Sequence, residues 1–338
     1  MTGEGKMQEK IDALFQEFDR PDVPGASVAV IKDGGFLFKK SYGMANLEDK
    51  IPATRFTNYR LASVSKQFTA MAIMILKQRG KLNCDDSIIK FFPDFPKLAE
   101  NITVRHLLTH SSGLVNYEDI IPPDRSSQLK DQDVLALLKT QHGTYFTPGA
   151  EYRYSNTGYA LLALIVEHVS GQRFADFIRE NIFHPLGMME TVLFEQGIST
   201  VKNRAFGYKE TDAGFELSDQ SLTSAVLGDG GVYSSIMDYF KWDQALYGET
   251  LVSRDILDEA FTSGKLTDGT LAGYGFGWRV EERGGMKLVH HNGSTCGFNT
   301  AVRRVPDKRL TILIFANRSG KHAHQISDEL LDWMLLNY

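Results

Sequence analysis

The chain is constrained above all by a change of hydrophobic period. Strand-like stretches lie near both ends, and the long middle carries the spacing of helices. Residues 26–31 and 36–42 read as two strands joined by Lys32-Asp33-Gly34-Gly35, in which Asp-Gly is a strong hairpin signal. Residues 274–282, 286–291, 297–305 and 309–316 read as further strands, separated by Arg283-Gly284-Gly285, a Gly/Ser loop and Pro306-Asp307-Lys308. Such short connections predict antiparallel neighbours, because a parallel pair needs a long crossover. Between the two groups, 64–79, 104–110, 133–139, 159–169 and 174–182 repeat apolar residues at helical spacing. Met7, Ile11, Leu14, Phe15 and Phe18 form an apolar stripe at one end, and Ile326, Leu330, Leu331, Met334 and Leu335 form one within 322–336. Both stripes suit helices laid on a sheet.

The pattern predicts an α+β fold (an α/β sandwich), with an antiparallel sheet of about five or more strands flanked by N- and C-terminal helices and an all-helical second domain. The expected sheet domain is 1–58 with 207–338, interrupted by a helical insertion at 59–206, and the cleft between them is the default place for a site. A length of 338 residues allows two such units. Thirty-seven Lys and Arg against 42 Asp and Glu give a formal charge of −5, so no basic field favours a nucleic acid partner. Apolar runs such as 160–166 fall far short of the ~20 residues that span a bilayer, and no membrane span is expected. Residues 1–10 show no signal peptide, which suggests a cytoplasmic protein, or a periplasmic or secreted one if a leader preceded it. Cys84 and Cys296 are too few for a disulfide framework, and neither they nor the nine histidines show metal-ligand spacing. No metal or cofactor is expected.

Ser-x-x-Lys occurs four times, at Ser63/Lys66, Ser87/Lys90, Ser127/Lys130 and Ser199/Lys202. Nucleophilic chemistry asks for the serine in the first turn of a helix, where free N–H groups and the dipole favour developing negative charge. It also asks for the lysine one turn on, on the same face, in apolar surroundings that favour its neutral form. Only Ser63 meets both conditions, since it opens an apolar stretch with no acid to hold Lys66 as an ammonium. Tyr154-Ser155-Asn156 is the one Tyr-x-Asn among 13 tyrosines and precedes the helix from Tyr159, so a phenol and a carboxamide share a turn. His291-Asn292-Gly293-Ser294 ends a predicted strand, where glycine permits close backbone approach and the N–H of Ser294 could join that of Ser63 as an oxyanion hole. Taken singly, each pattern also has a plain structural reading: helix caps at Ser63 and Asn156, a half-buried Tyr154, and ordinary strand histidines.

In this order the three resemble the signatures S-x-x-K, Y-x-N and H-x-G of the serine β-lactamase and penicillin-binding-protein superfamily. The sequence is most similar to its class C β-lactamase and D-Ala-D-Ala carboxypeptidase branch, which also holds esterases and D-aminopeptidases. Segments 107–114, 148–149, 154–159, 184–188 and 230–234 look like the same branch. The resemblance implies an active-site serine hydrolase that works through an acyl-enzyme on an amide, β-lactam or ester carbonyl of a small molecule or peptide. A carboxylesterase of the same fold is the alternative, and a non-catalytic ligand-binding or scaffold protein is the alternative of another class. By the same resemblance, Ser63 attacks, Lys66 and Tyr154 move protons, Asn156 holds the acyl side chain, and His291, Gly293 and Ser294 line the substrate site without a cofactor. His291 stands where many relatives have lysine. A near-neutral imidazole is a weaker carboxylate anchor, so efficient β-lactamase action is not expected. Loops 116–133 and 200–223 would set the substrate, and the oligomeric state stays open.

Overall fold

The structure, a computed structural model, describes residues 3–320 and 322–338. Met1, Thr2 and Lys321, which fall within the expected sheet domain, lie outside the described residues. Six strands form the main sheet: β1 (Ala26–Lys32), β2 (Gly35–Tyr42), β3 (Arg279–Arg283), β4 (Met286–Thr295), β5 (Phe298–Val305) and β6 (Leu310–Ala316). Their order is β3-β4-β5-β6-β1-β2, with every neighbour antiparallel. The two ends of the chain meet where β1 pairs β6, from Ala26 opposite Ala316 to Lys32 opposite Leu310.

The helices are α1 (Gly3–Leu14), α2 (Lys66–Gln78), α3 (Val104–Leu108), α4 (Asp131–Lys139), α5 (Asn156–Ser170), α6 (Phe174–Ile178), α7 (Leu227–Gly230), α8 (Ile236–Ala245), α9 (Arg254–Ala260) and α10 (His322–Asn337). Val28, Val30, Ile312 and Ile314 pack with Met7 and Ile11 of α1 and Leu330 and Met334 of α10. The alternate residues Ala29, Ile31, Leu313 and Phe315 join the core of the helical layer on the other face. Burial on both faces explains why β1 and β6 read as nearly continuous apolar runs. Helix α2 is buried from Lys66 to Leu76 and forms the axis of the helical layer.

Several parts of the chain depart from the sequence expectation, and β4 runs on to Thr295 where the expected strand ended at 291. Strand β3 begins at Arg279 rather than 274, because the preceding segment presses against the start of α2. Gly277 adopts φ +79°, and a Cβ there would sit 2.9 Å from the Lys66 carbonyl oxygen. Helices α8 and α9 occupy a stretch for which the sequence pattern predicts no helix. Asp243 of α8 accepts hydrogen bonds from Arg304 Nε of β5 at 2.7 Å and Thr311 Oγ1 of β6 at 2.8 Å, which ties that helix to the sheet. The helical stretch 59–206 also contains two very short strands, Tyr59–Arg60 and Val192–Leu193, and both pair with Val232–Ser234.

Candidate active site

From Thr57 to Leu76, Ser63 is the one residue that is not buried. Ala62 before it holds φ +50°, a backbone state that side chains with a Cβ rarely adopt, and a 3-10 turn at Ala62–Ser65 then feeds α2. The serine therefore stands at the tip of a buried helix. Lys66 is fully buried, and its Nζ makes three contacts: Ser63 Oγ at 3.0 Å, Asn156 Oδ1 at 2.8 Å and the Asp229 carbonyl oxygen at 2.8 Å. Those three oxygens satisfy the polar head of the lysine, which offsets the cost of burying it.

Tyr154 and Asn156 flank this lysine from the start of α5. The ring of Tyr154 lies 5.1 Å from Lys66 Nζ, and its buried hydroxyl has no hydrogen-bond partner among the described residues. An unpartnered buried phenol calls for an explanation, and here it faces the cleft wall beside a serine and a lysine. The Asn156 amide is oriented by its contacts, since Oδ1 accepts from Lys66 while Nδ2 donates to Glu118 Oε1 at 3.1 Å. His110 holds the turn from behind. Its carbonyl accepts the Arg153 N–H at 2.9 Å, its Nδ1 accepts the Ser155 N–H at 3.2 Å, and its ring packs 4.3 Å from that of Tyr154. Burial, then the Lys66 charge, hold His110 neutral, as an Nδ1 acceptor requires.

The third element arrives from β4. Gly293 pairs with Thr300 of β5, and Thr300 Oγ1 donates to the Leu61 carbonyl at 2.9 Å, which draws the strand end against the turn carrying Ser63. Ser294 is exposed beside Ser63. His291, expected to line the substrate site, borders the larger cavity beside Ser63 but is only 2% exposed, with both ring nitrogens engaged. Its Nδ1 can only donate to the Asn292 carbonyl at 2.7 Å, so Nε2 accepts from the Tyr274 hydroxyl at 2.8 Å. Burial, then Lys66, push its pKa well below the usual imidazole range. It is a neutral, locked group and offers no charge to a carboxylate.

Two cavities flank Ser63, and both Ser63 and Ser294 line each of them. The smaller, about 60 Å³, is walled by Arg60, Tyr117, Glu118, Asn156 and Asp229. The larger, about 440 Å³, is walled by Tyr154, Arg279, Glu281, Asn292 and His324. Tyr117 and Glu118 come from the first loop expected to set the substrate, and Thr223 of the second also lines the smaller cavity. Arg279 has no carboxylate partner among the described residues, although its guanidinium lies 5.6 Å from the Tyr154 ring. His290 in the same cavity is held neutral, its pKa pushed down to about 3 by burial and then by Arg303 and Arg279. Sequence reasoning passed over Arg60, Tyr117, Glu118, Asp229 and Arg279, none of which belongs to a spaced motif. No group of three or more His, Cys, Asp or Glu residues suited to a metal occurs among the described residues.

A serine and lysine one turn apart at the start of a buried helix, beside a phenol and a carboxamide and against the end of a strand of an antiparallel sheet, define a hydrolase of the S-x-x-K class. The chain belongs to the beta-lactamase family, whose model matches residues 11–334. It is 33% identical over 328 residues to penicillin-binding protein 4* of Bacillus subtilis (strain 168), covering 92% of this chain and 72% of that protein. It is 30% identical to a D-aminopeptidase of Brucella anthropi, covering 88% of this chain and 56% of that longer protein. D-amino acid amidase from Ochrobactrum anthropi SV3, solved with L-phenylalanine amide, superposes with a TM-score of 0.82 at 25% identity, covering 97% of this chain and 98% of the amidase. The protein is thus a hydrolase of the β-lactamase and penicillin-binding-protein family.

Proposed function

We propose that the protein hydrolyses amides or peptides through an acyl-enzyme on Ser63. The observation that carries this reading is the 3.0 Å contact between Lys66 Nζ and the one accessible hydroxyl on a buried helix. Lys66 takes the serine proton as Oγ attacks, and the unpartnered Tyr154 hydroxyl passes a proton to the leaving group. Backbone N–H groups of Ser63 and Ser294 stabilise the oxyanion, a contribution on the order of a hundredfold or more in rate. Asn156 holds the lysine through Oδ1 from the wall of the smaller cavity.

The larger cavity favours a leaving group that carries a carboxylate, as the C-terminal part of a peptide does. Arg279 is its cationic wall residue without a carboxylate partner, while His290 and His291 are neutral there. This reading moves carboxylate recognition from His291 to Arg279 and leaves His291 and Gly293 as the floor of the site. It agrees with relatives named as a penicillin-binding protein and a D-aminopeptidase and with an amidase of the same fold. The test is steady-state hydrolysis of D-alanyl dipeptides, D-amino acid amides and simple p-nitrophenyl esters by the wild type and by Ser63→Ala. Turnover lost in the variant supports the proposal. Retained turnover removes Ser63 from the chemistry, and turnover of esters alone would shift the assignment to an esterase.

A further inference from the structure

The acylation machinery accounts for Ser63, Lys66, Tyr154 and Asn156, but it leaves unused a buried carboxylate on the opposite wall. Asp229 sits in α7 and is 8% exposed. Its backbone carbonyl holds Lys66, and its side-chain Oδ2 accepts the Tyr117 hydroxyl at 2.9 Å. Oδ1 has no hydrogen-bond partner among the described residues. Asp229 lines the smaller cavity together with Ser63, Ser294 and Asn156.

We propose that Asp229 is the general base of deacylation and activates a water held in this cavity against the Ser63 ester. The proposal rests on the reading of Ser63 as the nucleophile. A volume of about 60 Å³ is too small for an acyl side chain and right for one or a few waters, given that one water needs roughly 10–15 Å³ of such space and two to four polar partners. Asp229, Glu118, Asn156 and Tyr117 supply those partners. The position of α7 is set independently of the cavity. The Asp131 carboxylate accepts the N–H groups of Leu227 at 2.9 Å and Gly228 at 3.0 Å, and Thr69 Oγ1 donates to the Gly228 carbonyl at 2.7 Å.

The step balances as follows. The water oxygen bonds to the acyl carbon as one of its protons passes to the Asp229 carboxylate, giving a tetrahedral oxyanion under the N–H groups of Ser63 and Ser294. Collapse breaks the bond from carbon to Ser63 Oγ, which leaves with a proton from the Lys66 and Tyr154 pair. The acid departs, and Asp229 returns its proton to that pair through cavity water, so each group ends as it began. Charged and titratable groups face Asp229 from every side: Lys66 from α2, Arg60 from its short strand, Tyr117 and Glu118 from the loop before α4, and Asp131 from α4. Burial raises Asp229 to about 6, against the lowering effects of Lys66 and the Tyr117 hydrogen bond, which suits a base working near neutrality.

Asp229→Asn is nearly isosteric and leaves the backbone contact to Lys66 in place. With a p-nitrophenyl ester it should give a burst of one equivalent at the wild-type acylation rate, followed by steady turnover slowed by about a hundredfold or more. Intact mass should show the acyl adduct on Ser63 accumulating in the variant alone. Tyr117→Phe removes a hydrogen bond that stabilises the carboxylate, so the rise of deacylation with pH should move to higher pH, which loss of packing alone would not produce. Asp229→Asn that deacylates at the wild-type rate overturns the proposal. So does a parallel fall in acylation and deacylation, which marks Asp229 as a support for Lys66, and so does a higher KM confined to substrates with a free amine, which marks it as an ammonium site. An ester that forms on a residue other than Ser63 defeats the parent reading instead.

Discussion

Replacing Gly293 by alanine tests how the end of β4 positions the nucleophile. A Cβ there would lie 2.2 Å from the Leu61 carbonyl oxygen, 2.3 Å from Thr300 Oγ1 and 3.1 Å from Ala62 Cβ. It would enter the 2.9 Å hydrogen bond that joins Thr300 to Leu61. Thr300 can turn its hydroxyl away, but the Leu61 carbonyl is backbone two residues before Ser63. Restoring an ordinary carbon–oxygen contact requires a shift of about 1 Å between β4 and the Ser63 turn. A misplacement of that size costs on the order of a hundredfold in rate. Overpacking adds roughly 1–3 kcal/mol of destabilisation, and the lost hydrogen bond about 1 kcal/mol more. Ester hydrolysis by Gly293→Ala, read with its thermal melt, should therefore show kcat down by about a hundredfold in a protein that still folds and melts several degrees lower. A folded variant within about threefold of wild-type kcat would refute the claim that this contact sets the geometry of Ser63.

Arg279→Ala should raise KM for peptides ending in a carboxylate by roughly tenfold to a hundredfold, the range for a lost charge-assisted hydrogen bond, and leave neutral esters unchanged; equal effects on both would deny Arg279 that role. His110, His290 and His291 have folded pKa values below the unfolded 6.5, so the unfolded chain binds more protons at acid pH and their contribution to stability, complete above pH 6.5, is lost as pH falls. Asp131 and Asp229, raised to about 7 and about 6, act in the opposite sense. His290→Gln, at the most exposed of these three histidines' ends of the cleft, should flatten the loss of urea stability between pH 6.5 and 4, and an unchanged slope would contradict the assignment. Asp131→Asn keeps one acceptor for the two α7 N–H groups and should cost about 1–3 kcal/mol in urea denaturation; a neutral outcome would mean that α7 is anchored elsewhere.

Much of the architecture was legible because period and turn chemistry agree along the chain. Strands β1, β2, β5 and β6 fall within a residue or two of the expected stretches, and Ser63, Lys66, Tyr154, Asn156 and Ser294 do meet at one place. The parts that were not legible depend on approach between distant segments. The start of β3 is displaced because Gly277 lies against the Lys66 carbonyl, a contact no local pattern reports. Strand alternation alone did not reveal that His291 turns inward to Tyr274. Asp229 precedes Gly230-Gly231 and reads as an ordinary turn acid until the fold brings it to Lys66, 163 positions away. Tyr117 and Arg279 likewise acquire meaning only through the cavities they line.

The central claim is that Ser63 is the nucleophile, and covalent labelling tests it most directly. Treating the protein with a fluorophosphonate and mapping the modified peptide should place one equivalent on Ser63, with no labelling of Ser63→Ala. Label on another residue, or continued ester turnover with Ser63 unmodified, would contradict the account.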